Sequence, residues 1–208
     1  MKHDNQYDID NEKNVALYSK LLQKHGNNFE ALNWGSEESQ KLRFGILAEV
    51  GIQPLDYVLD VGCGLADFYQ WFKDENLNVN YTGLDLTPAM VASAKGRFPA
   101  LNCHVGTIEN HPGEYDYIVA SGIFAHRQAK PETFLNETIS EMYMKCRKGV
   151  AFNCLSTWRE DQDEGEFYAD PIKTLEFCQK LTKYVVLRHD YHHGDFTIYL
   201  YKNNPKAT

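Results

Sequence analysis

No stretch of the 208-residue sequence is apolar for long enough to cross a membrane. The longest runs, such as Gly149–Leu155, fall far short of the roughly 20 residues that a spanning helix needs. The polar start, Met1–Asn14, lacks the apolar core of a secretory leader. Together these predict a cytoplasmic protein with no membrane partner. Cysteine is sparse: Cys63, Cys103, Cys146, Cys154 and Cys178 are odd in number and scattered, with no Cys-x-x-Cys pair. That argues against a disulfide framework and predicts reduced, mostly buried thiols. Positive charge is short as well, 21 Lys and Arg against 29 Asp and Glu for a net charge of −8, and no basic patch offsets it. Such a surface repels phosphate backbones, which disfavours nucleic acid as a partner. No repeat, low-complexity tract or linker divides the chain, whose length suits one α/β domain. No feature of the sequence sets an oligomeric state.

What is present is core material. Hydrophobic residues make up 43% of the chain and aromatic residues 13%, with 13 Tyr and 11 Phe. That is enough for a packed interior and for a pocket that holds planar groups. Val15, Tyr18, Leu21 and Leu22 fall on one face of a helix that ends near Gly26. Ser36, followed by Glu37 and Glu38, opens a second helix with Leu42, Ile46, Leu47 and Val50 along its stripe. Residues 1–50 are read as a helical cap and 51–208 as the main domain. From residue 57 the rhythm changes. Strands are predicted at Tyr57–Val61, Val79–Asp85, Leu101–Val105, Tyr115–Ala120 and Gly149–Cys154, and helices at Asp67–Lys73, Thr87–Gly96 and Pro131–Cys146. Strands alternating with helices make a parallel sheet. After a helix at Pro171–Leu181, Tyr184–Tyr191 and Phe196–Lys202 are joined only by His192-His193-Gly194-Asp195, so short a connection that they must form an antiparallel hairpin.

Val58-Leu59-Asp60-Val61-Gly62-Cys63-Gly64-Leu65-Ala66-Asp67 is a buried strand running into a glycine turn and then a helix. Glycines there permit a sharp turn and let a ligand lie against main-chain N–H groups, although a tight strand–helix connection needs them too. Asp85 ends the next strand, where doubly wound folds grip ribose hydroxyls; it could also cap the helix starting at Thr87-Pro88. A dinucleotide fingerprint wants Gly or Ala at the sixth position of the loop, and this chain has Asp67, whose charge would repel a pyrophosphate. A cationic ligand is favoured by Asp60 and Asp67.

With Leu59-Asp60-Val61-Gly62-Cys63-Gly64, Asp85 and the terminal hairpin, residues 55–202 resemble the class I S-adenosylmethionine (SAM) dependent methyltransferases. Gln40, Arg43-Phe44, Ser121-Gly122-Ile123-Phe124, Phe152-Asn153, Tyr168 with Asp170-Pro171, and Leu187-Arg188-His189-Asp190-Tyr191 point to a subgroup of small bacterial members with unassigned substrates. The resemblance implies a Rossmann-like fold: a doubly wound, mostly parallel seven-stranded sheet with the C-terminal antiparallel hairpin. It also implies SAM as cofactor. Gly62 and Gly64, with Cys63, would lie against the methionine part and Asp85, with Leu86, would hold the ribose. Thr107 and Ile108 would flank adenine, Ser121, Gly122 and Arg43 would line the methionine side, and Asp60 and Asp67 would face the cation. Thr107 stands where many members carry an acid, and Ala66 replaces a common third glycine.

The methyl acceptor should meet residues at the carboxyl ends of the later strands. His126 is the best-placed proton acceptor, or else an ordinary loop histidine. Arg127 could pair with an acidic group and Phe124 could shape the pocket. Residues 155–170, with Tyr168, interrupt the sheet at the ligand edge and are read as a lid, or else as a solvated acidic loop. Trp34 would cover the site from the N-terminal side, and Arg188, His189 and Tyr191 would add polar contacts from the hairpin. No metal set is expected. The resulting expectation is methyl transfer to a small molecule, with oxygen preferred over nitrogen. The alternatives are an NAD-dependent oxidoreductase and a SAM-binding protein without catalysis.

Overall fold

Parallel strands must be joined by crossovers, and the chain supplies a helix for three of the four, the link between residues 105 and 115 being irregular. In the computed structural model, which describes residues 5–206, β1 (Tyr57–Val61), β2 (Asn80–Asp85), β3 (Cys103–Val105), β4 (Tyr115–Ala120) and β5 (Cys146–Ser156) pair in parallel. β8 (Asp195–Tyr201) lies antiparallel to β5, and β7 (Tyr184–Arg188) lies antiparallel to β8. The strand order is β3-β2-β1-β4-β5-β8-β7, with β6 (Tyr168–Ala169) on a side branch against the end of β5. The reversal beside β1 is the point where a doubly wound sheet opens a crevice. Residues 1–4 of the expected 1–50 cap, and residues 207–208, lie outside the described residues.

Both faces of the sheet are covered, so the central strands read as continuous apolar runs rather than alternating ones. α2 (Glu37–Ala48), α3 (Asp67–Asp74) and α4 (Pro88–Arg97) pack on one face through Phe44, Leu47, Phe68, Phe72 and Val91. α5 (Pro131–Lys145) and α6 (Pro171–Leu181) cover the other through Leu135, Ile139, Met142 and Cys178. α1 (Asn5–His25) belongs to neither layer. Its Tyr18 and Leu22 join Ala31, Leu65 and Met90 in a small cluster that seats it over the glycine turn and α4. All five cysteines are buried and unbridged.

Several element ends differ from the expectations. β5 starts at Cys146, directly after α5, and runs to Ser156, because β8 pairs with it from Gly149 to Leu155 and supports the extension. β3 is only three residues, the length over which β2 offers it partners. β7 stops at Arg188, its last pair with β8, rather than at Tyr191. The two-residue β6 was not anticipated, being too short to carry a period. Residues 29–32, expected as loop, make a 3-10 turn capped by Asn28, whose side chain accepts the Glu30 N–H at 2.7 Å. Ser36 caps α2 as its sequence position suggests, accepting the Ser39 N–H at 3.1 Å.

Candidate active site

The site begins where β1 ends. The N–H groups of Gly62 and Cys63 both donate to the Leu84 carbonyl, at 2.7 and 3.1 Å, which turns the chain sharply out of the sheet. Gly62 and Gly64 take φ of +75° and +52°, a region costly for residues with a Cβ. Ala66 holds φ +59° in the same loop and tolerates it as the residue before α3. A Cβ on Gly62 would lie 2.1 Å from Ile123 Cγ2, and one on Gly64 would lie 2.6 Å from Leu32 Cδ2. Trp34 likewise approaches Gly122 closely. The absence of side chains on these glycines is therefore required both by backbone angle and by what packs above them.

Asp85 ties the loop together. One carboxylate oxygen accepts the Gly64 N–H and the other accepts the Thr87 N–H, each at 2.8 Å. The two readings of Asp85 thus coexist: it braces the start of α4 and still lines the cavity. A carboxylate offers about four lone-pair positions, and these two bonds, together with the Thr87 hydroxyl, do not exhaust them, leaving capacity for a ribose hydroxyl.

A cavity of about 600 Å³ opens above these strand ends, within the range of small-molecule and cofactor sites. All twelve residues named above as candidates for holding a cofactor line it, as do Trp34 and His126. Its electrostatics are acidic. Asp60 is 3% exposed, accepts the Tyr81 hydroxyl at 2.6 Å, and is pushed by burial to a pKa of about 7. Burial also raises Asp85, against the lowering effect of its two backbone bonds. Tyr18 of α1 reaches about 12 through burial and the negative charges of Asp85 and Glu166. Asp67 plays a different part from the one expected. Its carboxylate is held by Arg97 at 2.6 Å and by the Gln40 amide at 3.3 Å, so its charge is compensated. Repulsion of a pyrophosphate therefore cannot rest on Asp67.

On the other side of the crevice, Asn153 of β5 accepts the Gly122 N–H at 2.8 Å and donates to Ser121 Oγ at 3.2 Å, fixing the loop after β4. That loop is stitched to the segment after β5. His126 and Glu166 form an antiparallel bridge, and the Phe167 N–H donates to the Ala125 carbonyl at 2.8 Å. Arg43 of α2 and Asp195 of β8 make a buried ion pair in the cavity wall.

Of the residues named for the acceptor, only Trp34 lines the cavity. Phe124 is a core side chain between Phe134 and Phe152. Arg127 is exposed on the loop. The Tyr168 hydroxyl donates to Glu166 and accepts from the Asp163 N–H, bracing the segment from behind. Arg188 pairs with Asp190 and Glu49 at the surface, His189 bonds Ser156 and stacks on Trp158, and Tyr191 bonds Thr197. The physical reason is lateral distance: β7 is four strand spacings from β1, about 19 Å at the usual ~4.8 Å each. Tyr18, Arg159, His192 and Asp195 also line the cavity: Tyr18 comes from the helical cap expected over the site, Arg159 from the 155–170 segment, and His192 and Asp195 from the turn that closes the hairpin. Among the described residues, no group of three or more His, Cys, Asp or Glu is arranged to hold a metal ion, and no helix is long and apolar enough to cross a membrane.

Comparison with known proteins agrees with this geometry. The family described as "Methyltransferase domain" matches residues 59–144. A Mycobacterium tuberculosis protein named "Putative methyltransferase Rv1506c" is 32% identical over 151 residues, covering 69% of this chain and 91% of that protein. Phosphoethanolamine N-methyltransferase 1 of Arabidopsis thaliana is 33% identical over 95 residues, 41% of this chain but only 19% of that longer protein. Among solved structures, magnesium protoporphyrin IX methyltransferase from Synechocystis PCC 6803, with bound S-adenosylhomocysteine, superposes with a TM-score of 0.63 over 94% of this chain and 97% of that one. At 11% identity, that likeness concerns the fold.

Proposed function

The chain belongs to the class I SAM-dependent methyltransferases, and from that premise we propose that it methylates a hydroxyl group of a small molecule held between the glycine turn and the segment after β5. The observation that carries the reading is one cavity lined by Gly62, Gly64 and Asp85 and also by His126. In this reading Gly62 and Gly64 bring bare backbone against the methionine part of the cofactor. The remaining acceptor capacity of Asp85 takes the ribose, and Thr107 and Ile108 flank the base. Bound SAM supplies a methyl carbon activated by a positively charged sulfur. The protein's work is then alignment: Ser121 and Gly122 hold the methionine side of the cofactor and Trp34 holds the acceptor in line with it, which can supply much of the rate.

His126 takes the proton from the acceptor hydroxyl. Replacing it, His126→Ala, is expected to lower kcat by about 100-fold or more, the usual scale for a lost general base, with SAM affinity unchanged. Labelled methyl transfer from SAM to pooled hydroxylated metabolites, fractionated to a single acceptor, gives the assay. Equal turnover by the variant would remove His126 from the proton path. Amines form the second class to screen, because the Arabidopsis relative is by name an N-methyltransferase.

Asp60 sets a pH dependence. With a pKa of about 7 it keeps its proton below that pH and is anionic above it. An anion favours the cofactor's positive charge, so SAM should bind about tenfold more tightly at pH 8 than at pH 6, as ionisation of one such group dictates. In the unliganded protein the sign is opposite: a carboxyl whose folded pKa is raised withdraws stability as pH climbs from the ordinary carboxylate value to about 7. Calorimetric titration of Asp60→Asn should show a flattened affinity profile. A profile as steep as wild type would place the titration elsewhere.

A further inference from the structure

Two arginines stand in the cavity wall, and they differ in one respect. Arg43 is neutralised by Asp195 and donates also to the Ser39 carbonyl at 2.7 Å. Arg159 has no such partner. It follows β5, its backbone N–H donates to the Ser156 carbonyl at 3.1 Å, and its carbonyl accepts from Gln162 at 3.1 Å. Its aliphatic stem lies on Gly194 in the turn between β7 and β8, where an added Cβ would come within 3.0 Å of Arg159 Cδ. The Nε of its guanidinium is buried without a hydrogen-bond partner, and among the described residues no carboxylate lies within ion-pair distance of it. Of the nearby acids, Glu166 accepts the Tyr168 hydroxyl at 2.7 Å, and Asp195 gives Oδ2 to Arg43 while its Oδ1 is buried without a hydrogen-bond partner.

An unpaired buried N–H on a charged group is costly, and a carboxylate or phosphate is the ligand whose geometry satisfies a guanidinium edge. His192 lines the same cavity, and it and Arg159 both lie against Gly194, whose added Cβ would be 3.4 Å from His192 Cε1. Its Nδ1 accepts the Gly194 N–H at 3.1 Å, while Asp195 Oδ1 at 3.7 Å is too far to bond it. That arrangement leaves the ring proton on Nε2 as a second donor. The subsite lies two to three strand spacings from β1, about 10–14 Å across the sheet at ~4.8 Å per strand.

We propose that Arg159 and His192 form a subsite for an anionic group, a carboxylate or a phosphate, carried by the methyl acceptor at the end of the molecule away from the reacting hydroxyl. This rests on the methyltransferase reading of the cavity and narrows its substrate class to hydroxylated acids or phosphate esters.

The test uses the full chain saturated with S-adenosylhomocysteine, with inorganic phosphate and acetate titrated separately while the Arg159 Nε–H and His192 ring signals are followed by NMR. Either anion should shift both signals saturably at millimolar concentration. Phosphate alone would identify a phosphate ester, acetate alone a carboxylic acid, and both a site selecting on charge. Arg159→Gln should abolish the saturable shift of His192 and bind S-adenosylhomocysteine within twofold of wild type. Absence of saturable shifts with both anions overturns the subsite. A tenfold loss of S-adenosylhomocysteine affinity in Arg159→Gln also overturns it, by assigning the guanidinium to the cofactor. Failure of the wild-type chain to bind S-adenosylhomocysteine at all would instead bring down the underlying methyltransferase reading.

Discussion

Gly62→Ala is expected to lower the melting temperature by about 10 °C and to reduce SAM binding below detection. Two costs combine. A φ of +75° costs alanine about 1–2 kcal/mol relative to glycine. The new Cβ would sit 2.1 Å from Ile123 Cγ2, and forcing extra atoms into a packed site costs about 1–3 kcal/mol more. For a domain of this size each kcal/mol moves the midpoint by about 2–4 °C. Ile123 is β-branched and stiff at χ1, so relief must come from the glycine turn itself, which is the surface offered to the cofactor. Adding Ile123→Ala removes the collision but leaves the backbone angle, so the double variant should regain part of the lost stability. Gly165→Ala is the control, since nothing lies within 4 Å of its added Cβ. Scanning calorimetry with SAM titration decides it: a Gly62→Ala protein with wild-type melting and affinity would show that the turn does not take this form.

That turn and its carboxylate were legible because their information is local. A strand, two glycines and an acid at the end of the following strand lie within about 30 residues, the scale of one βαβ unit. The terminal hairpin was legible for a similar reason, as four residues cannot carry a crossover. The acceptor end was not. Arg188, His189 and Tyr191 were placed correctly near a strand end, but a period of two says only which residues share a face, not how far the strand lies from the crevice. β7 is the edge strand, so those side chains find partners at the rim, while the chain beyond it doubles back and delivers His192 and Asp195 to the cavity. Asp67 shows another limit: its place in the loop was evident, but its compensation by Arg97 joins two helices that no local pattern connects.

The Arg43–Asp195 pair is the extreme case, joining positions 152 residues apart. Arg43 is 6% exposed and Asp195 2%, and the Arg43 guanidinium also lies 5.2 Å from the centre of the Trp34 ring. One side chain therefore links α2, β8 and the loop that covers Gly122. Removing either partner strands the other charge in a dry site, which costs about 3–5 kcal/mol, whereas replacing both with apolar residues of similar volume is often neutral. Arg43→Met and Asp195→Leu are each expected to lower the melting temperature by about 10 °C, and the double variant should recover most of the loss. A double-mutant cycle by thermal or urea unfolding measures the coupling. If each single variant lost less than about 1 kcal/mol, the level of an exposed pair, the ion pair would not be sealed from water. Full recovery of stability without recovery of methyl transfer would separate the two duties of Arg43, holding α2 to the sheet and holding Trp34 over the site.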